Sequence, residues 1–179
     1  MKILALADND DIRWAAPGTP VDLVVSCGDV HEMLIRSAAE ACSAPPIAAV
    51  KGNHDEAGGF RAPIRDVHLK VLELPGGLRI GGFNGCWRYK PVGHFLYEQQ
   101  EAVQLLRGFP AVDVFISHNS PRGLHETDPD VHQGFQALRD YLVTHSPKLL
   151  IHGHQHLDRE TRIGDTRVIS VYGHAFIDL

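Results

Sequence analysis

The chain has 179 residues, 44% of them hydrophobic and 22% charged, with 17 Gly and 11 Pro. That is the make-up of a loop-rich globular protein and excludes disorder, collagen and coiled coil, and the length predicts a single domain over residues 1–179. Seventeen Lys+Arg against 22 Asp+Glu leave a net charge of −5, which disfavours a broad nucleic-acid or anionic-membrane surface and leaves room for a local basic groove.

No apolar run approaches the ~18 residues of a membrane span, and no signal-peptide pattern follows Met1. A cytoplasmic address without a membrane partner is the expectation. Cys27, Cys42 and Cys86 are odd in number and widely spaced, so they read as reduced thiols. They suit neither a disulfide framework nor a zinc knuckle. The unusual figure is 12 His.

In chain order, residues 2–7 form an apolar run that ends in Asp8-Asn9-Asp10-Asp11, a buried strand delivering carboxylates into a loop. Residues 21–26 repeat the pattern and end at Gly28-Asp29. Residues 30–42 place Val30, Met33, Leu34, Ala38 and Ala41 at helical spacing, and Pro45-Pro46 stops the helix. A third strand at 47–50 ends in Gly52-Asn53-His54-Asp55, giving a βαβ organisation. Residues 67–74 and 78–83 flank Pro75-Gly76-Gly77 and predict an antiparallel hairpin.

Residues 97–107 read as a helix and 112–117 as a buried strand ending in His118. A second amphipathic helix at 133–144 carries Phe135, Leu138 and Leu142 on one face. A short strand at 149–151 ends in His152-Gly153-His154-Gln155-His156. A hairpin over 159–163 and 166–171 turns at Gly164-Asp165, and a last strand is expected at 175–177. No repeat, low-complexity tract or linker interrupts the chain.

Five apolar strands thus end in Gly, Asp, Asn or His clusters. Ligands of α/β sheets bind beyond the carboxyl ends of strands, so the clusters are expected to converge. The converging set is Asp8, Asp10, Asp29, Asn53, His54, His118, His154 and His156. Carboxylates, a carboxamide oxygen and imidazoles together suit Mn, Fe, Zn, Co or Ni, and the ligands suffice for two ions. Such a pair turns water into hydroxide near neutral pH and clamps phosphoryl oxygens.

Taken singly, these residues have simpler readings. Asp8 and Asp29 could be helix caps or turn residues, Asn53 an αL turn residue, and His118 a satisfied loop histidine. It is the ordered set that carries the inference. His31, His94, His125, His152 and His174 have no specified role, and His68, His132 and His145 read as bland. Cys27 reads as packing.

The ordered series Asp8-Asn9-Asp10, Gly28-Asp29, Gly52-Asn53-His54-Asp55, His118 and Gly153-His154-Gln155-His156 resembles the calcineurin-like metallophosphoesterase family. The family pattern is D-x-H, G-D-x-x, G-N-H-[DE], a later His, and G-H-x-H. The resemblance implies an α/β fold, a four-layer αββα sandwich of two mixed β-sheets. It implies one divalent ion held by Asp8, a bridging Asp29 and His156 with a contribution from position 10, and a second held by Asp29, Asn53, His118 and His154. It also implies that a hydroxide shared by the two metals attacks phosphorus. His54 would contact the phosphate or protonate the leaving oxygen, and Asp55 and Glu32 are both candidates to orient it.

The chain departs from the family pattern at Asp10, where His is usual. Aspartate could coordinate directly, act through a water, or fall short. An oxygen-rich first site favours Mn, with Mg, Fe, Zn, Ni and Co as further candidates. The segment Gly85-Cys86-Trp87-Arg88-Tyr89-Lys90 mixes aromatics with cations and reads equally as a substrate contact and as a solvated loop with a Trp anchor. The stretch from Ser117 to Gly123 resembles an H-x-P-P-x-G branch of the family and puts Arg122 in reach of substrate.

The resulting expectation is a metal-dependent phosphoesterase acting on a small phosphate ester, first a phosphodiester. The alternatives are a non-catalytic scaffold of the same fold that binds a protein, which Asp10 favours, and a nuclease with the same centre, which the net charge disfavours.

Overall fold

A computed structural model describes residues 1–10, 19–43, 45–128 and 130–179. Asp11, the last of the predicted carboxylate cluster, lies outside the described residues. Three helices and thirteen strands are assigned among the described residues. The first sheet contains β1 (Lys2–Ala7), β2 (Leu23–Ser26), β3 (Ile47–Ala49), β4 (Arg65–Asp66) and β13 (Gly173–Asp178), in the order β13-β1-β2-β3-β4. Its strands β1 to β4 are parallel, and β13 closes the edge antiparallel to β1.

The second sheet runs β11-β12-β10-β9-β6-β5. It is built from β5 (Val71–Glu73), β6 (Arg79–Phe83), β9 (Val114–Ser117), β10 (Leu149–His152), β11 (Arg159–Ile163) and β12 (Thr166–Ser170). Four central strands are parallel, and the predicted hairpins β5-β6 and β11-β12 form its two antiparallel edges. A small ribbon pairs β7 (Cys86–Trp87) with β8 (Leu96–Tyr97) in parallel.

Strand periodicity explains the layers. In β1, Ile3, Ala5 and Ala7 face a core shared with Ile80, Val114, Ile116, Leu149 and Ile151 of the second sheet. Leu4 and Leu6, one residue out of phase, face the opposite way onto Ile35, Ala38 and Ala39 of α1 (Glu32–Ala41). On the far side, Phe115, Leu150 and Val168 pack against α2 (Gln99–Leu106) and α3 (Gln136–His145) through Ala102, Leu106, Leu138 and Leu142. The result is helix, sheet, sheet, helix, with both sheets mixed, the architecture that the family resemblance implies. No helix among the described residues is long and apolar enough to cross a membrane.

One detail of the helical reading is corrected. Met33, expected on the apolar stripe of α1, is 69% exposed, and Ile35 is fully buried instead. The helix starts at Glu32 with His31 as its cap, so the stripe is set by Ile35, Ala38, Ala39 and Cys42. Met33 lines a cavity at the helix start.

Substitutions separate the two cases. Ile116→Ala, in the core between the sheets, is expected to lower the unfolding free energy by about 2–5 kcal/mol. Met33→Ala should cost less than about 0.5 kcal/mol. Urea unfolding of both variants checks this, and comparable losses would contradict the assignment of faces.

Candidate metal centre

Parallel strands order their carboxyl ends on one side, and both sheets use that side. Asp8 follows β1, Asp29 lies just beyond β2, and Asn53 and His54 lie beyond β3. His118 follows β9, and His154 and His156 lie beyond β10. Asp8 (φ 58°), Asp29 (φ 54°), His154 (φ 65°) and His156 (φ 51°) all take the left-handed conformation, which L side chains rarely adopt. Glycines let these turns close on one another. A Cβ on Gly52 would overlap Asp29 Oδ1 and stand 2.7 Å from His118 Cε1, and one on Gly153 would overlap Asp8 Oδ2.

The centre of the cluster is a meeting of acceptors. His118 Nδ1–H donates to the Cys27 carbonyl at 2.9 Å, which leaves Nε2 as the other ring nitrogen facing the site. That Nε2 lies 3.0 Å from Asn53 Oδ1 and 3.3 Å from Asp29 Oδ2. Asp8 Oδ1 stands 3.9 Å from His118 Nδ1 and 3.9 Å from His156 Nε2, and this buried oxygen has no hydrogen-bond partner among the described residues. Asp8, Asp29 and His118 can each offer a ligand atom within 4.8 Å of the others. Oxygens and a ring lone pair this close in a dry site are held together by a proton or a metal ion.

Backbone amides position the carboxylates. Asp8 Oδ2 accepts from the His154 amide at 2.7 Å, tying the end of β1 to the loop after β10. Asp29 Oδ1 accepts from the His54 amide at 2.8 Å. Burial, partly offset by His118 and reinforced by the charge of Asp29, pushes the Asp8 carboxyl up to about 7. Burial also opposes the Asp29 charge, but the His118 ring beside it holds the carboxyl down at about 2. His118 would be lowered by burial, yet Asp29 and Asp8 raise it to about 9. Burial, with the charges of His118 and His132, holds His154 well below its ordinary value.

The remaining predicted residues take varied positions. The ring of His154 is 4.9 Å from that of His118, centroid to centroid, and His156 is more than half exposed at the rim. Asp10 Oδ1 accepts from the His31 amide at 2.7 Å, so one of its oxygens is committed to the start of α1, and Asp10 is not one of the three clustered residues. The ring of His54 has no hydrogen bond among the described residues and lines a cavity. Neither candidate orienting carboxylate is on it. Asp55 Oδ2 accepts the amides of Asp29 and Gly52, at 2.9 and 2.7 Å, and Glu32 faces Lys51 and Arg36.

Arg88 is turned away from the site. Its guanidinium donates to the Leu96 carbonyl at 2.7 Å and pairs with Glu98 and Glu101, so it fastens the β7-β8 ribbon to α2. Arg122 pairs with Glu126 at 3.7 Å and does not line the cavity beside His54.

Three residues at the centre were not singled out from sequence for the roles they take. The Cys86 thiol, kept protonated by burial, donates to Asn53 Oδ1 at 3.1 Å. Asn53 Nδ2 donates to the Tyr89 hydroxyl at 3.3 Å, so the two residues fix which way the carboxamide points. The segment's composition marked it, though as a substrate contact. His132, read as bland, has its ring 4.9 Å from His154 and 5.7 Å from His156.

A second pair of histidines supports the loop that carries His154. His152 Nδ1–H donates to the Gly153 carbonyl, so its Nε2 accepts from His125 Nδ1 at 2.9 Å, and His125 Nε2 in turn accepts from Thr161. Burial pushes His152 down to about 3, which keeps the neutral tautomer this chain of bonds requires.

Residues 1–173 match the calcineurin-like phosphoesterase superfamily domain. The chain belongs to that superfamily. Among solved structures, one superposes with a TM-score of 0.69 at 16% identity, covering 99% of this chain and 94% of the other. The protein TT1561 of Thermus thermophilus gives 0.58 at 17% identity, with 96% and 89% covered. The phosphopantetheinyl hydrolase PptH from Mycobacterium tuberculosis gives 0.55 at 15% identity, again with 96% and 89% covered. At these identities the likeness is one of fold. No curated protein matches the chain.

The shifts at the centre predict how a superfamily site of this kind responds to pH. Asp8, raised from 3.8 to about 7, contributes stability that is full below pH 4 and lost as pH rises through 7. His118, raised from 6.5 to about 9, contributes stability that is full below 6.5 and lost as pH rises through 9. His152 and His154, both held below 6.5, oppose this only below pH 6.5, so metal-free protein is expected to lose thermal stability from pH 6.5 to 9. A divalent ion should restore more of it at pH 8 than at pH 5, since metal displaces these protons. Calorimetric melting of apo and metal-loaded protein at both pH values tests this, and a metal effect larger at pH 5 would refute the assignment.

Proposed function

We propose that this protein is a metal-dependent phosphoesterase, acting first on phosphodiesters, with two divalent ions held by Asp8, Asp29, Asn53, His118, His154 and His156. The observation that carries the reading is the convergence of Asn53 Oδ1, Asp29 Oδ2 and His118 Nε2 beside the orphaned Asp8 Oδ1. Four such atoms fit a borderline divalent cation, and nothing else among the described residues satisfies them together. The second oxygen of Asp10 is left to contribute directly or through water. Three carboxylates make the first site oxygen-rich, which favours Mn over softer ions.

Bound there, a pair of ions supplies Lewis acidity toward phosphoryl oxygens and brings the pKa of water near neutrality. The chain's own groups do the rest. Asp29 would serve both ions, and the Asn53 carboxamide is fixed in direction by Cys86 and Tyr89. His54, next to Asp29 in space and with a ring not engaged elsewhere among the described residues, is the donor to the leaving group. As water oxygen bonds to phosphorus, the ester P–O bond breaks, and the departing alkoxide takes its proton from His54. The cavity beside His54 receives that alcohol, and its volume of about 620 Å³ accommodates the second substituent of a diester.

The test is hydrolysis of a chromogenic phosphodiester and its matching monoester by stripped protein refilled with Mn. Activity should return with metal, and the diester should be the faster substrate. His54→Ala should lower kcat by about 10²–10⁴-fold, the usual worth of a general acid, while metal content stays at two ions. Asn53→Ala should lose both activity and metal. Folded protein that binds fewer than two ions and cleaves neither ester would reject the reading in favour of a scaffold.

A further inference from the structure

The cavity beside His54 carries charges that phosphoryl chemistry at the metal centre does not use. It runs from Asp29 and His54 past the first turn of α1 to Arg36, Lys51 and Arg61. Lys51 is only 6% exposed, although its ammonium has no short hydrogen bond among the described residues. Its Nζ stands 3.7 Å from Glu32 Oε1 and 4.1 Å from the centroid of the Phe60 ring. The stem is buried while the weakly paired ammonium lines the cavity, where it attracts a further anion.

Glu32 cannot serve as that anion alone, because it is shared. Its Oε2 lies 3.9 Å from Arg36 Nη2 and accepts the Arg61 amide at 3.3 Å. The Arg61 guanidinium has no side-chain partner among the described residues. Of the other four carboxylates in the lining, Asp29 belongs to the clustered candidate ligands, Asp10 Oδ1 accepts the His31 amide, Glu56 is exposed, and Asp55, whose Oδ2 accepts two amides, lies within electrostatic reach of Lys51. Among the described residues Glu32 is thus the one carboxylate within 4 Å of the Arg36 and Lys51 charges, and none lies that close to the Arg61 guanidinium.

We propose that Arg36, Lys51 and Arg61 form a subsite for a second anionic group, phosphate or carboxylate, carried on the leaving alcohol of the ester. The inference rests on the phosphoesterase reading for the position of the scissile group, since His54 at one end of the cavity marks the leaving side. The two guanidiniums supply forks that match the oxygens of either anion, and Lys51 supplies a fixed point charge behind them. The preferred substrate is then a small ester with a charge at each end rather than a neutral-tailed one.

Binding to Mn-loaded protein tests the subsite independently of catalysis, because phosphonates are not hydrolysed. The probes are a propane chain with phosphonates at both ends, the same chain with one phosphonate replaced by carboxylate, and propylphosphonate. Titration calorimetry should give the doubly anionic probes about tenfold or more tighter binding than propylphosphonate, the worth of a charge-assisted hydrogen bond. The ranking of bisphosphonate against phosphonocarboxylate identifies the second group. Arg36→Ala and Arg61→Ala, at solvent-accessible positions where loss of folding is not expected, should each reduce that ratio by about tenfold. Arg107→Ala, an exposed arginine at the end of α2, should leave the ratio unchanged. Lys51→Met should also reduce it where the variant folds.

Equal affinity for one and two anions, or a ratio untouched by both arginine variants, would overturn the proposal. With Mn present, the methyl diester whose propyl group ends in phosphate should also be cleaved faster than methyl propyl phosphate. Failure to cleave either would count against the phosphoesterase reading alone, because the calorimetric ratio still decides the subsite.

Discussion

The structure is organised around an electrostatic demand at one point. Asp29 Oδ2, Asn53 Oδ1 and His118 Nε2 meet within about a hydrogen-bond length in a largely buried place, and Asp8 Oδ1 adds a buried oxygen with no hydrogen-bond partner among the described residues. A lone imidazolium meets that demand only partly. It lowers Asp29 to about 2 but leaves Asp8 with a carboxyl near 7, half neutral at physiological pH. A doubly charged ion meets it better, since it suits both carboxylates at once and releases His118 from its proton. Metal affinity and proton affinity are thus two expressions of the same crowding.

Holding acceptors against one another costs conformational energy, and the fold stores it in the backbone. Asp8, Asp29, His154 and His156 all sit at positive φ, each worth roughly 1–3 kcal/mol of strain for an L residue. Such turns persist only where the surroundings fix them on several sides. Here the fixing is mutual: Asp8 accepts the amide of His154 from the other sheet, and Asp29 accepts the amide of His54 while its own amide is held by Asp55. Asp55 therefore acts on the shape of the loop rather than on the His54 ring. The absence of Cβ atoms at Gly52 and Gly153 is what allows carboxylates and backbone to approach this closely.

Much of this was legible in the sequence, because strand ends are marked by abrupt changes from apolar runs to Gly, Asp, Asn and His. The order of those clusters placed Asp8, Asp29, Asn53, His118 and His154 at the ends of strands, and the alternation in β1 fits two buried faces. Less legible were contacts made by residues whose types carry no fixed task. Arg88 and Arg122 have the composition of substrate contacts, yet each finds a carboxylate nearby in sequence, at Glu98 and Glu126, and packs there. Cys86 reads as a buried thiol, and only the pairing of β7 with β8 brings it to Asn53. His132 lies in a loop whose path no periodicity describes, so its approach to His154 depends on tertiary structure alone.

The division of labour between the sheets gives the site its dependence on the whole fold. The first sheet brings Asp8, Asp29 and Asn53, which are oxygens, and the second brings His118, His154 and His156, which are nitrogens. Neither set alone is an attractive site for a borderline ion. The carboxylates would repel, and the imidazoles would be unanchored. The apolar layer of Ile3, Ala5, Val25, Ile116 and Ile151 between the sheets sets how closely the two half-sites approach. Packing there is rigid on the scale of a methyl group, so a change in that layer alters the distance between oxygens and nitrogens as well as stability. A ligand bound across both halves would stabilise the folded state by the same linkage, and the core between the sheets is in this sense part of the candidate site.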